Sequence, residues 1–348
     1  MCIRDSLRTL HSTAFICATG IANCGQQPGD RLFLEPELVE LMAKSADPSV
    51  LQYLWQRWHE TVGSTVGPSL RRHTAISNAI ARRNHFQDLG AVWRSLYRDA
   101  NLQRTVESLW NQILPLYEQM HTYVRRVLYT RYPGSFNTSA VPVHLFGDMF
   151  ASNWLPLYAN SMPYPKISTA SVWSDERLSN NCTVEYLLKI AEKFFLKIGL
   201  LPMTAQFWNS SIVRDKRDGH HNTMECQAES VDFFNRIDYA FKSCCGTYLA
   251  RDFLTTFQHV GQVECAMICA DQRLKFREDD KSGLREAIIN MVVLTATAPL
   301  QLREMGLIRE APFERGSSLE AKEGLNFLYF TALQKLASLP FAYAADLY

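Results

Sequence analysis

Apolar residues recur at intervals of three and four along most of this chain, the period of helices that bury one face. From Leu34 onward the pattern predicts one helix after another: LEPELVELMAKSA, then SVLQYLWQRWHETVG from Ser49, SLRRHTAISNAIARRNHF from Ser69 and AVWRSLYR from Ala91. Glu35-Pro36 is read as a helix start, since proline costs little in the first turn. The run from Leu102 to Tyr132 is one helix or two meeting near Pro115, and Pro133-Gly134 ends it. Short strands are expected only around Leu10 to Ile21 and Phe241 to Thr247. The predicted fold is mostly α, with no Gly-rich phosphate loop, internal repeat or low-complexity linker.

One stretch stands out, Asp252 to Asp271, DFLTTFQHVGQVECAMICAD. Drawn as a helix it gathers Gln258, Gln262, Cys265 and Cys269 on one face, because spacings of 3, 4 and 7 return to the same side. Phe253, Phe257, Val260, Val263, Met267 and Ala270 take the opposite face. Acidic residues fall only at its ends and at Glu264, so the helix is expected to be buried along most of its length.

Composition narrows the partners. The 348 residues, 47% apolar and 20% charged, suffice for a large core and one large or two joined lobes. A net charge of +1 carries no signature of nucleic-acid binding, and the arginine pairs at 71–72, 82–83 and 125–126 read as solvated helix faces. No apolar run reaches the length of a membrane span. The opening MCIRDSLRTLHSTAFICATGIA mimics a secretory signal, but Thr, Ser and His interrupt its apolar run. Among nine cysteines, Cys17 and Cys24 enclose a short loop, and Cys226 with Cys244 or Cys245 brackets a compact segment. Disulfides there would mean an oxidising compartment. The sequons at Asn137, Asn181 and Asn209 point the same way.

Several blocks carry a family resemblance. VPVHLFGDMFASNW at 141–154, GLLPMTAQFWNSS at 199–211 and CQAESVDFF at 226–234 resemble the angiotensin-converting enzyme (peptidyl-dipeptidase A) family of zinc peptidases, as do LFLEPELVELMA at 32–43 and YVRRVL at 123–128. Order and spacing hold from about Cys17 to Tyr348. Residues 1–12 fall outside the resemblance and are expected to be an unstructured start or an artefact of sequence assembly, with an incomplete peptidase domain over 13–348. The resemblance implies an elongated, helical, two-lobed zincin-type body around a deep cleft, lacking here the N-terminal lid helices and a C-terminal part. It implies a secreted or membrane-anchored peptidase that releases C-terminal dipeptides, with no anchor in this chain. It also implies disulfides Cys17–Cys24 and Cys226–Cys244.

Such a peptidase needs three protein ligands on zinc, an open position for water and a carboxylate to take the water's proton. An HExxH helix supplies two histidines and the base, and a later glutamate completes the set. The matching pentapeptide here is Gln258-His259-Val260-Gly261-Gln262: both metal positions are glutamine and the base position is histidine. Glu286, 24 positions after Gln262, retains the third-ligand position. Two carboxamides are poor substitutes for imidazole on zinc, and without the metal the water's pKa stays near that of bulk. The surroundings have changed as well: Asn290 stands where the family has an acid, Arg285 replaces the histidine before Glu286, and FREDDKSG at 276–283 keeps Arg277, Glu278 and Gly283 but not the family's GANP. Sequencing error is a poor account, since glutamate to histidine at 259 needs two base changes.

The remaining candidates have bland readings beside them. Cys265 and Cys269 with Glu286 suggest a thiolate site, but buried cysteines ordinarily act as small apolar residues. His220-His221 read as solvated loop, and His144 as a structural hydrogen-bonding residue. Ala228 aligns with the stretch whose backbone grips peptide in the family, balanced against simple strand packing. The expectation is a catalytically inactive homologue in the secretory pathway that holds no cofactor and binds a peptide or protein, not nucleic acid. The alternatives are an active metallopeptidase with a rebuilt site at His259, Glu286 and the cysteines, and a gene fragment without function.

Overall fold

The computed structural model describes residues 3–18, 24, 30–136, 140–167, 183–213, 228–243, 249–277, 283–308 and 316–347. The chain is mostly helical, as its periodicity predicts, and divides into two compact units: Met1–Ser161 with Phe330–Tyr348, and Met162–Tyr329.

In the first unit the opening residues form helix α1, Ile3–Thr13, which packs on a later helix and sets His11 edge-on against the buried Trp58 ring. Strands β1 (Phe15–Cys17) and β2 (Arg31–Phe33) pair antiparallel, with Phe15 opposite Phe33, and Cys17 is joined to Cys24. A π-helical turn at Leu34–Leu38 leads into α2, Val39–Lys44; Glu35 itself is extended, so helical backbone starts at Pro36.

The two helices expected on either side of Pro68 are one, α3, Pro48–Arg83. Asp47 caps it by accepting from the Ser49 and Val50 amides, and Pro48 occupies the first turn, where no intrahelical donor is lost. Its first half is anchored in the core through Leu51, Leu54 and Trp58, whereas the second half buries only Ala81. Pro68 falls on the exposed half, where water can take the carbonyl it leaves unbonded. Helix α4 is Leu89–Ser95, capped by Asp88, and α5 is a single helix, Leu102–Arg131, that carries Pro115 inside it. The core is completed by Val124, Leu128 and a Phe146–Trp154 stack, whose Trp154 amide donates to the Leu333 carbonyl. The short helix α6, Tyr158–Ser161, closes this part of the unit.

The second unit is built on aromatic packing between helices. Helix α7, Val184–Lys197, is capped by Thr183, and α8, Ala205–Ser210, by Thr204. A three-stranded sheet has the order β3-β5-β4, from β3 (Ile212–Val213), β4 (Glu229–Asp232) and β5 (Tyr239–Ser243). Helix α9, Leu249–Ile268, packs on α7, on β4 and on α11 (Leu284–Ala296); the short α10, Leu274–Arg277, lies between α9 and α11 in the chain. Phe194, Phe195, Phe253 and Phe257 form one ring cluster, in which Phe253 and Phe257 stack at 4.1 Å between centroids. Helices α12 (Pro299–Glu304), α13 (Ser318–Thr331) and α14 (Ala337–Leu347) complete the chain, the last returning to the first unit. Among the described residues no helix is long and apolar enough to cross a membrane.

Candidate functional site

The helix at the centre of the sequence pattern is α9, shifted by about one turn from the expected span and buried along most of its length. Phe253, Phe257, Val260, Val263 and Met267 take the inner face. Gly261 allows a close approach: a Cβ there would lie 3.1 Å from Ile289 Cγ2 on α11 and 3.5 Å from Phe195 Cζ on α7. That contact brings α11, and with it Glu286, against the polar face of α9.

Glu286 is held by both glutamines. Gln262 Nε2 donates to Glu286 Oε1 at 2.8 Å, and Gln258 Nε2 donates to Glu286 Oε2 at 3.2 Å. Each carboxylate oxygen therefore has an amide donor where a metal ligand would need its lone pair. The orientation of Gln262 sets the rest of the network: with its nitrogen on the carboxylate, its oxygen faces Ser230 on β4 and His259. Ser230 Oγ donates to Gln262 Oε1 in a short hydrogen bond. His259 Nδ1 lies 3.0 Å from the same oxygen and 3.2 Å from Ser230 Oγ. Because an amide oxygen only accepts, Nδ1 carries the proton in the neutral ring. Burial lowers the His259 pKa, opposed by the hydrogen bond to Gln262 and by the charges of Glu286 and Glu229. The ring stays neutral at pH 7.

The changed neighbours also have structural roles. Arg277, buried, binds both Asp232 oxygens at 3.0 and 3.2 Å, donates to the Phe234 carbonyl and covers the Phe234 ring, which fixes the end of β4. Arg285 donates to the Arg277 carbonyl at 3.1 Å, and Asn290 donates to the Glu286 carbonyl at 2.8 Å. Ala228 immediately precedes β4, which among the described strands is bonded only to β5. His144 lies in a 3₁₀ turn of the first unit, half-buried, with its pKa lowered by burial. Asn209 is exposed on α8; Cys265 and Cys269 are half-buried on α9 and just beyond its end. Asn137, Asn181, Cys226, Cys244, His220 and His221 lie outside the described residues.

Ser230 of this neighbourhood is absent from the sequence reading, and Glu264 enters it only as an acid within the helix, with no role. Ser230 joins through a contact 32 residues distant, which no local pattern marks. Glu264 is 1% exposed, accepts one hydrogen bond from the Leu201 amide at 3.3 Å, and leaves Oε1 without a partner. Burial raises its pKa to about 7, against the help of the Leu201 bond, and Glu192 adds to the rise. A signal for it exists in the sequence: at 100° per residue, position 264 falls between Phe253 and Phe257 on the apolar face.

Zinc does not suit this donor set. Beside one carboxylate the set offers two carboxamides and none of the imidazoles the ion prefers, and presenting both amide oxygens would turn their N–H groups away from Glu286. Among the described residues no group of three or more His, Cys, Asp or Glu side chains is placed to hold a metal ion.

The model of the angiotensin-converting enzyme family of peptidases matches residues 2–348. The chain belongs to that family. The match takes in α1. Angiotensin-converting enzyme of Mesocricetus auratus is 32% identical over 348 residues, 99% of this chain and 25% of the relative. That of Sus scrofa is 33% identical over 98% of this chain and 25% of the relative, and that of Theromyzon tessulatum 30% identical over 99% and 54%. The chain thus spans between about a quarter and about half of the length of these angiotensin-converting enzymes.

Proposed function

We propose that this family member has given up zinc-dependent peptidase chemistry and serves as a binding protein for a peptide or protein in the secretory pathway. The observation that carries the proposal is the hydrogen bonding of Glu286, whose two oxygens are each occupied by a glutamine that replaces a ligand. The base position adds support, because His259 is tied to Gln262 and Ser230, and no activated water is within the reach of its chemistry without a metal. The family scaffold around the site is retained, including the Arg277–Asp232 pair that fixes β4 beside Ala228. The Cys17–Cys24 bridge and the exposed Asn209 sequon favour the secretory placement.

The test uses the purified full-length protein, its zinc content and its release of dipeptide from a blocked tripeptide, with and without chelator. The expected result is substoichiometric zinc and no chelator-sensitive release. One zinc per chain, or release that a chelator abolishes, overturns the proposal.

A further inference from the structure

The exposed half of α3 carries a feature the candidate site does not use. From Thr61 to Gln87 the chain has four arginines and no acidic residue. The arginines come as two pairs, Arg71-Arg72 and Arg82-Arg83, eleven residues apart. Eleven residues are three helical turns, so Arg71 and Arg82 share one side of the helix and Arg72 and Arg83 another about 100° away, each pair spanning about 16 Å of helix.

Between these two rows lie Pro68, Ala75 and Ala79, and all seven residues are exposed. The buried contact of this half, Ala81, lies on the far side, and Asn78, which accepts from the Leu89 amide, lies next to the Arg71 and Arg82 row, outside the floor. None of the four arginines is in an ion pair among the described residues. The acids that bound the segment are already engaged: Glu60 with Arg57, and Asp88 with the Ala91 amide and Arg94. The large exposed apolar residues of this half, Leu70, Ile76 and Ile80, lie off the small-residue floor, which argues against a lipid surface as the partner.

We infer that this face binds a linear sulfated polysaccharide, lying along α3 between the two arginine rows. A rigid helix presents four guanidinium groups at fixed spacing, and the guanidinium fork suits sulfate oxygens as it suits phosphate. The alanine floor lets the chain approach the helix. The choice of a sulfated sugar over nucleic acid rests on the secretory placement proposed above.

The test is heparin binding by the full chain, measured by calorimetry over a salt series. Neutralising four charges at the charge density of a single-stranded polyanion gives a slope of log K on log salt of about −3. Arg71→Gln/Arg82→Gln and Arg72→Gln/Arg83→Gln are each expected to weaken binding at least tenfold and to roughly halve the slope, with the helical circular dichroism unchanged. Arg126→Gln on α5 is expected to leave binding as it was. Undiminished binding by the doubly substituted proteins, no heparin binding at physiological salt, or tighter binding of single-stranded RNA or of phosphatidylserine vesicles overturns the inference. The zinc assay is independent of all these outcomes.

Discussion

Replacing Glu264 by glutamine should make this protein more stable at alkaline pH and not at acid pH. The native carboxyl titrates at about 7 against an ordinary 4.5, because its oxygens are buried on the apolar face of α9 with one hydrogen bond between them. Ionising it in the native state therefore costs on the order of 3 kcal/mol. The sign comes from proton counts: between pH 4.5 and 7 the native chain binds more protons than the unfolded one, so stability falls across that window. The penalty is complete above pH 7 and absent below 4.5. Glu264→Gln keeps an oxygen to accept from Leu201 and removes the charge. Against this, its amide has two donors to satisfy where the protonated acid has one, a cost of about 1 kcal/mol. The net expectation is a gain of about 2 kcal/mol at pH 8, turning to a loss of about 1 kcal/mol near pH 4.5. Urea denaturation followed by circular dichroism at half-unit pH steps would measure it. An equal difference at pH 5 and pH 8, or a less stable variant at pH 8, would refute the reasoning.

Three further outcomes are expected. Gly261→Ala should destabilise by about 1–2 kcal/mol, since its Cβ meets the two Cγ atoms of Ile289 and the Phe195 ring, and Ile289→Ala, which removes both Cγ atoms, should cost less in the Gly261→Ala background than alone in a double-mutant cycle by thermal denaturation. Arg277→Met should cost about 3–5 kcal/mol by leaving Asp232 unpaired in a largely buried place, and Asp232→Asn added to it should restore stability in part; equal stability of parent and single variant in urea would count against it. Gln258→His/His259→Glu/Gln262→His should acquire stoichiometric zinc with Glu286 as third ligand, whereas Gln262→His alone should not; titration calorimetry with zinc distinguishes them.

Much of the second unit is legible in the sequence because it is helical, and helical burial repeats every three to four residues. The α9 face with Gln258 and Gln262 comes from spacing, and its partner Glu286 from the family motif. The features that escape are set by tertiary packing. Pro68 marks a helix break in most contexts, yet α3 runs through it because that half is exposed and water can replace its lost hydrogen bond. Strand β4 and its Ser230 depend on pairing with β5 and on Arg277, 45 residues beyond Asp232, so no short window contains the reason for them. Residues 3–13 lack a family pattern strong enough to notice by eye, but they place a helix against α3.

The glutamine clasp on Glu286 also bears on descent. A single return to histidine at 262 would remove the donor on one carboxylate oxygen and the shared acceptor of Ser230 and His259, and two ligands would still not hold zinc. The groups left unpaired are half-buried, so each costs about 1 kcal/mol, the low end of the range for buried groups, with nothing gained until the other two positions change as well. Intermediates on the way back are thus less fit than either end. On the proposed reading, the side chains at the ligand positions make loss of the metal a ratchet, and lineages that carry them are free to drift further from peptidase geometry while keeping the fold.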